Sequence, residues 1–142
     1  MDMRQITTDY FVSPQLDPTD MEDAARAGVT TIICNRPDPE IPPSHQAQAL
    51  EAAAKAEGLA FVLLPLTHDT MTPENVAKHR AAIEASEGPT LAYCASGTRS
   101  TVVWALGEAA ETPADDILFK AQAAGYDLEG LRPSLDAAYQ KG

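Results

Sequence analysis

The sequence predicts an α/β fold, one domain over residues 1–142 with a central, mostly parallel sheet flanked by helices. Two observations carry this. Short apolar runs bounded by turn residues alternate with helical patterns of roughly 10 to 15 residues, the order of a layered α/β unit. The length of 142 residues suits one hydrophobic core and leaves little room for a second.

Taken in order, Tyr10-Phe11-Val12-Ser13-Pro14 is a short extended stretch stopped by proline. Asp17-Pro18-Thr19-Asp20 supplies turn and N-cap chemistry for a helix through about Arg26, with Gly28 at its C-cap. Val29 to Cys34 reads as a buried strand, and Asn35 to Pro43 as a proline-rich loop without regular structure. Ser44 opens an alanine-rich helix to about Glu57, closed by Gly58. Ala60 to Leu64 is the next strand, and Pro65 to Thr72 the loop after it. Pro73 starts a helix that ends near Ser86 to Gly88. Thr90 to Tyr93 is the last strand, and Arg99 or Ser100 opens a helix to about Ala110. Two further helices are expected, from Pro113 to Ala124 and from Leu131 to Tyr139.

Charge and composition narrow the partners. With 21 acidic and 10 basic residues the formal net charge is −11, a field that repels nucleic acid and anionic lipid. A small anionic substrate therefore needs a local positive site. No apolar run approaches the roughly 18 residues of a spanning helix, so no membrane partner is expected. The N-terminus has no basic segment followed by an apolar one, which makes the cytoplasm the expected location. Cys34 and Cys94 are too few for a disulfide scaffold. His45 and His79 have no second ligand at metal spacing, so neither a metal nor a cofactor is expected.

The chemistry concentrates in Tyr93-Cys94-Ala95-Ser96-Gly97-Thr98-Arg99-Ser100, where four residues separate cysteine from arginine. Between a strand and a helix, the N–H groups of Ala95, Ser96, Gly97 and Thr98 can turn inward as an anion-binding nest backed by the helix N-terminus. Gly97 lets the chain curl without an obstructing Cβ, and Arg99 offers a planar fork to two oxygens of a tetrahedral anion. The same positive environment favours the thiolate form of Cys94, making it a nucleophile. Ser100 can donate a hydrogen bond to that thiolate. Around a given cysteine, glycine at +3, arginine at +5 and serine or threonine at +6 coincide by chance about once in a few thousand.

This stretch resembles the active-site loop shared by cysteine-dependent phosphatases and rhodanese sulfurtransferases. The wider chain is similar to the bacterial phosphatase-like domain also found fused to beta-lactamase-like hydrolases of the persulfide dioxygenase type. The resemblance runs through Phe11 to Leu16, Ile33-Cys34-Asn35-Arg36-Pro37-Asp38, Leu64-Pro65-Leu66 and the Cys94 loop, to about Ala109. It implies a dual-specificity-phosphatase-like fold, either phosphatase or sulfur-transfer activity, and a sulfur-metabolism enzyme as a partner. Two departures stand out. The phosphatase signature has five residues between cysteine and arginine, whereas this chain has four, the rhodanese spacing; and Tyr93 stands where the signature commonly has histidine.

A phosphatase also needs a general acid, for which Asp69 in Leu66-Thr67-His68-Asp69-Thr70 is the candidate, with His68, Asp38 and Glu40 as alternatives. Arg36 can help attract an anion or pair with Asp38 or Glu40. Cys34 reads as a small buried hydrophobe, with a second possibility as resolving thiol for Cys94. Val102, Val103, Trp104 and Leu106 read as the packed face of the helix behind the loop. Three functions remain open: a cysteine-dependent phosphatase-like hydrolase, a rhodanese-like sulfurtransferase carrying a persulfide on Cys94, and a non-catalytic oxyanion-binding module.

Overall fold

A computed structural model describes residues 1–141. Five strands form one sheet in the order β1-β2-β5-β3-β4. They are β1 (Arg4–Gln5), β2 (Tyr10–Ser13), β3 (Thr31–Cys34), β4 (Ala60–Leu63) and β5 (Thr90–Tyr93). The β2, β5, β3 and β4 pairings are parallel, and only β1 runs antiparallel, with Arg4 opposite Val12. Both central strands, β3 and β5, are buried along their whole length, as expected for parallel strands covered on both faces.

The side-chain alternation of the strands sorts the core into two layers. Val12, Ile33 and Ala92 point to a layer with Trp104, Ile117, Leu118 and Leu135. Ile32, Cys34, Leu91 and Tyr93 point to the other, with Met21, Ala24, Leu50 and Ala54. Helices α1 (Asp20–Arg26) and α2 (Ala47–Ala56) therefore cover one face. Helices α3 (Pro73–Ala85), α4 (Thr98–Glu108), α5 (Ala114–Ala123) and α6 (Arg132–Lys141) cover the other. Trp104 stacks on Tyr10, ring centres 6.4 Å apart, so the Val103–Trp104 side of α4 is the packed face expected behind the loop.

Several boundaries differ from the sequence reading. Strand β3 begins at Thr31, two residues later than expected; Thr30 still bonds Pro89 O and the Ala60 N–H through its backbone, while its hydroxyl pairs with Ser86 Oγ and accepts from the Gly88 N–H. The proline-rich loop contains a 3-10 turn at Asp38–Glu40, and a second such turn at Pro43–His45 replaces the expected start of α2. Ser44 does not cap that helix; its Oγ pairs with His45 Nδ1 at 2.8 Å. The Ala47 N–H instead donates to Asp38 Oδ1 at 2.9 Å, a cap supplied from nine residues away. Helix α4 begins at Thr98, and α6 follows a 3-10 turn at Glu129–Leu131. Because β1 spans two residues, it left no pattern in the sequence. No helix among the described residues is long and apolar enough to cross a membrane.

Candidate active site

Cys94 follows β5 directly and lies at the floor of the loop, 1% exposed. From there to α4 the loop carbonyls are held outward. Ala95 O accepts from the Gln15 N–H at 3.2 Å. Ser96 O accepts from the Tyr126 hydroxyl at 3.0 Å, and Gly97 O accepts from the Thr101 hydroxyl at 2.8 Å and its N–H at 3.0 Å. In a planar peptide the N–H points opposite to the C=O, so outward carbonyls turn N–H groups inward. The Gly97 N–H accordingly donates to Cys94 Sγ at 3.1 Å.

The N–H groups of Ala95 and Ser96 have no protein partner among the described residues. Those of Arg99 and Ser100 sit in the first turn of α4, where no intrahelical acceptor exists. Gly97 takes φ +97°, and a Cβ there would lie 2.0 Å from the Tyr126 hydroxyl oxygen. Only glycine fits. Thr98 differs from the expected inward pattern, since its N–H donates to Ser96 Oγ at 3.3 Å.

Arg99 is oriented by two other loops. Its Nη1 donates to Glu40 Oε2 at 2.9 Å and to Leu66 O at 2.8 Å, and its Nη2 donates to Glu40 Oε1 at 2.7 Å. A guanidinium has five N–H donors. These contacts occupy both on Nη1 and one on Nη2, leaving Nε–H and one Nη2–H, the side-on fork that suits an oxyanion. Glu40 is the main cause raising Arg99 above its already high value, with a smaller contribution from the adjacent Cys94. In return Arg99 holds the Glu40 carboxyl below its ordinary range. Arg36 also faces Glu40, at 3.4 Å to Oε1 and 3.2 Å to its carbonyl, and donates to Gln15 Oε1 at 3.3 Å. It reaches the loop through these partners.

Ser100 differs from expectation. Its Oγ donates to Asn35 Oδ1 at 2.7 Å and not to the thiol; the Gly97 N–H contacts the sulfur instead. Asn35, fully buried at the end of β3, also donates from Nδ2 to Leu64 O at 2.9 Å and from its N–H to Tyr93 O at 2.8 Å. It thus joins the loops after β3, β4 and β5. His79 Nε2 completes the group at 3.4 Å from Asn35 Oδ1, and burial lowers His79 to about 4, leaving it neutral. The sequence singled out neither Asn35 nor Tyr126 for the site. A polar residue after an apolar strand, or a lone tyrosine after a helix, is too common to stand out.

Asp69 and His68 lie exposed on the 3-10 turn His68–Thr70, which is closed by a Thr67–Thr70 capping box. Asp69 is three residues beyond Leu66, whose carbonyl holds Arg99. Cys34 is buried, its thiol donates to Arg36 O at 3.4 Å, and burial pushes that thiol up. Both cysteines are free. His45 pairs with Asp17 at 2.8 Å, and among the described residues no three of His, Cys, Asp or Glu are grouped as metal ligands.

The family described as beta-lactamase hydrolase-like protein, phosphatase-like domain, matches residues 2–111. The chain belongs to that family. A beta-lactamase hydrolase-like protein of Xylella fastidiosa (strain Temecula1) is 33% identical over 119 residues, 82% of this chain. The match spans 28% of that relative's own length. A solved structure of a candidate phosphatase from Neisseria meningitidis Z2491 superposes with a TM-score of 0.86 at 36% identity, covering 97% of this chain and 99% of the other. Tk-PTP in its active form gives a TM-score of 0.75 at 15% identity, covering 99% and 98%, a likeness of fold alone. The phosphatase-like domain thus has the dual-specificity-phosphatase-like architecture, a five-stranded sheet flanked by helices.

Proposed function

We propose that this chain is a cysteine-dependent phosphatase acting on a small phosphomonoester. The observation that carries the reading is the Gly97 N–H on Cys94 Sγ together with a neighbouring Arg99 whose outer edge Glu40 and Leu66 hold, leaving its side-on edge out of those contacts. Such donors stabilise charge that builds on equatorial oxygens.

In this mechanism the Cys94 thiolate attacks phosphorus, an S–P bond forms and the P–O bond to the leaving group breaks. The N–H groups of Ala95, Ser96, Arg99 and Ser100, with the Arg99 fork, bind the equatorial oxygens. Asp69 gives its proton to the departing oxygen, then takes one from the water that attacks phosphocysteine, releasing phosphate and the thiolate. Asp69 is suited by its place on a short turn that follows the Arg99-holding carbonyl.

A second reading rests on the four-residue spacing between Cys94 and Arg99. In it, the Cys94 thiolate attacks the sulfane sulfur of a donor such as thiosulfate, the new S–S bond forming as the donor's S–S bond breaks and sulfite leaves; an acceptor thiolate then takes the outer sulfur and frees the Cys94 thiolate, with no general acid needed. The experiment pairs p-nitrophenyl phosphate turnover with intact mass after brief thiosulfate or polysulfide exposure. Phosphate release that is lost in Cys94→Ser and reduced in Asp69→Ala supports the phosphatase. A gain of one sulfur, absent in Cys94→Ser and without phosphate release, replaces it with the sulfurtransferase. Silence in both assays leaves an oxyanion-binding module.

A further inference from the structure

We propose that Tyr126 is a positioning residue for Cys94, acting through the Ser96–Gly97 peptide; this rests on the reading of Cys94 as the nucleophile. Ser96 C=O and Gly97 N–H belong to one peptide group. The Tyr126 hydroxyl donates to the oxygen at 3.0 Å, and on the opposite side the N–H donates to Cys94 Sγ at 3.1 Å. A planar trans peptide transmits this orientation directly. If the peptide rotated, the sulfur would face a carbonyl oxygen in place of a donor.

The phenol is itself anchored. Tyr126 is 6% exposed, and the Arg4 guanidinium lies 5.2 Å from its ring centre, a cation–π distance. Arg4 Nη1 also donates to Ala124 O at 3.3 Å, tying the segment before Tyr126 to β1. Burial pushes the phenol above its ordinary value, so it remains a proton donor at neutral pH. Gly97 leaves the space that the hydroxyl occupies, since a Cβ there would sit 2.0 Å from it. Loop and tyrosine are therefore shaped to each other. Tyr126 lies beyond residues 2–111, the segment that matches the family.

The test is Tyr126→Phe, which keeps the ring and removes the hydroxyl. Three measurements are made: the iodoacetamide alkylation rate of Cys94 at pH 7, p-nitrophenyl phosphate turnover and the melting temperature. The expected result is a fall of about tenfold in alkylation rate, the size of one lost hydrogen bond. A similar fall in kcat, with KM changed less, and a folded protein at assay temperature complete it. An unchanged or raised alkylation rate in folded Tyr126→Phe overturns the proposal, as does a loss that only follows the folded fraction. Alkylation needs no turnover, so a wild type inactive on the phosphate ester removes the phosphatase reading while the tyrosine is still judged. Should Tyr126→Phe fail to fold, Arg4→Gln loosens the ring and is expected to slow alkylation by about twofold to threefold; an unchanged rate there also overturns the proposal.

Discussion

Glu40 and Arg99 meet carboxylate to guanidinium through two hydrogen bonds of 2.7 and 2.9 Å, although 59 residues separate them. The pair uses the outer edge of the guanidinium and leaves its Nε–H edge out of the contact. Glu40 thereby sets the angle of the Arg99 fork.

Replacing Glu40 by Gln keeps its size but presents one acceptor where Arg99 has two donors. Charge-assisted hydrogen bonds contribute about 1.5–3 kcal/mol, so kcat/KM for an aryl phosphate is expected to fall between about tenfold and a hundredfold, mostly through KM. Steady-state kinetics decide it; a lower KM would mean that the carboxylate competes with substrate instead of orienting the arginine.

Gly97→Ala meets two obstacles, the φ of +97° and the Tyr126 hydroxyl 2.0 Å from the new Cβ. Backbone strain alone costs about 1–3 kcal/mol, and the loop must also shift. The variant is expected to unfold at lower denaturant and to lose aryl phosphate turnover at least about a hundredfold. Near-normal activity would show that the loop tolerates another conformation.

Buried His79, lowered to about 4 by desolvation, makes the fold acid-sensitive. The unfolded chain takes up the proton near the ordinary histidine value, so this contribution is intact above it and is lost as pH falls toward about 4. Unfolding free energy is expected to drop by about 2 kcal/mol between about pH 7 and pH 4.5. Denaturant titrations of wild type and His79→Leu test this: the drop should largely vanish in the variant.

Asn35→Ala removes the acceptor of the buried Ser100 Oγ and the donor to Leu64 O in a part-buried bond. Unsatisfied buried groups cost about 1–3 kcal/mol each, so a loss of about 3 kcal/mol in unfolding free energy is expected, with reduced turnover as α4 and the loop after β4 lose their link. Full activity with lowered stability would restrict Asn35 to a structural role.

The strand and helix order was readable because periodicity and cap residues act over a few neighbours. Val12, Ile33 and Ala92 alternate with their neighbours between the two core layers, as strand geometry requires. Helix α2 starts three residues after Ser44 because its cap comes from Asp38, nine residues before Ala47, while Ser44 turns to His45. The spacing of Cys94, Gly97 and Arg99 was equally visible, since those residues share one loop.

What the amino-acid order determined alone was therefore the alternating α/β pattern and the loop with its cysteine, glycine and arginine, features made by residues close in the chain. What tertiary structure decided was the direction of each group in that loop. Glu40 and Leu66 aim Arg99, Asn35 takes the Ser100 hydroxyl, and Tyr126 turns the Ser96 carbonyl away from the sulfur, from 59, 33, 65 and 30 residues away respectively. The physical reason is that hydrogen-bond direction depends on where the partner atom sits in space, and only the packed sheet and helices bring those partners within 3 Å.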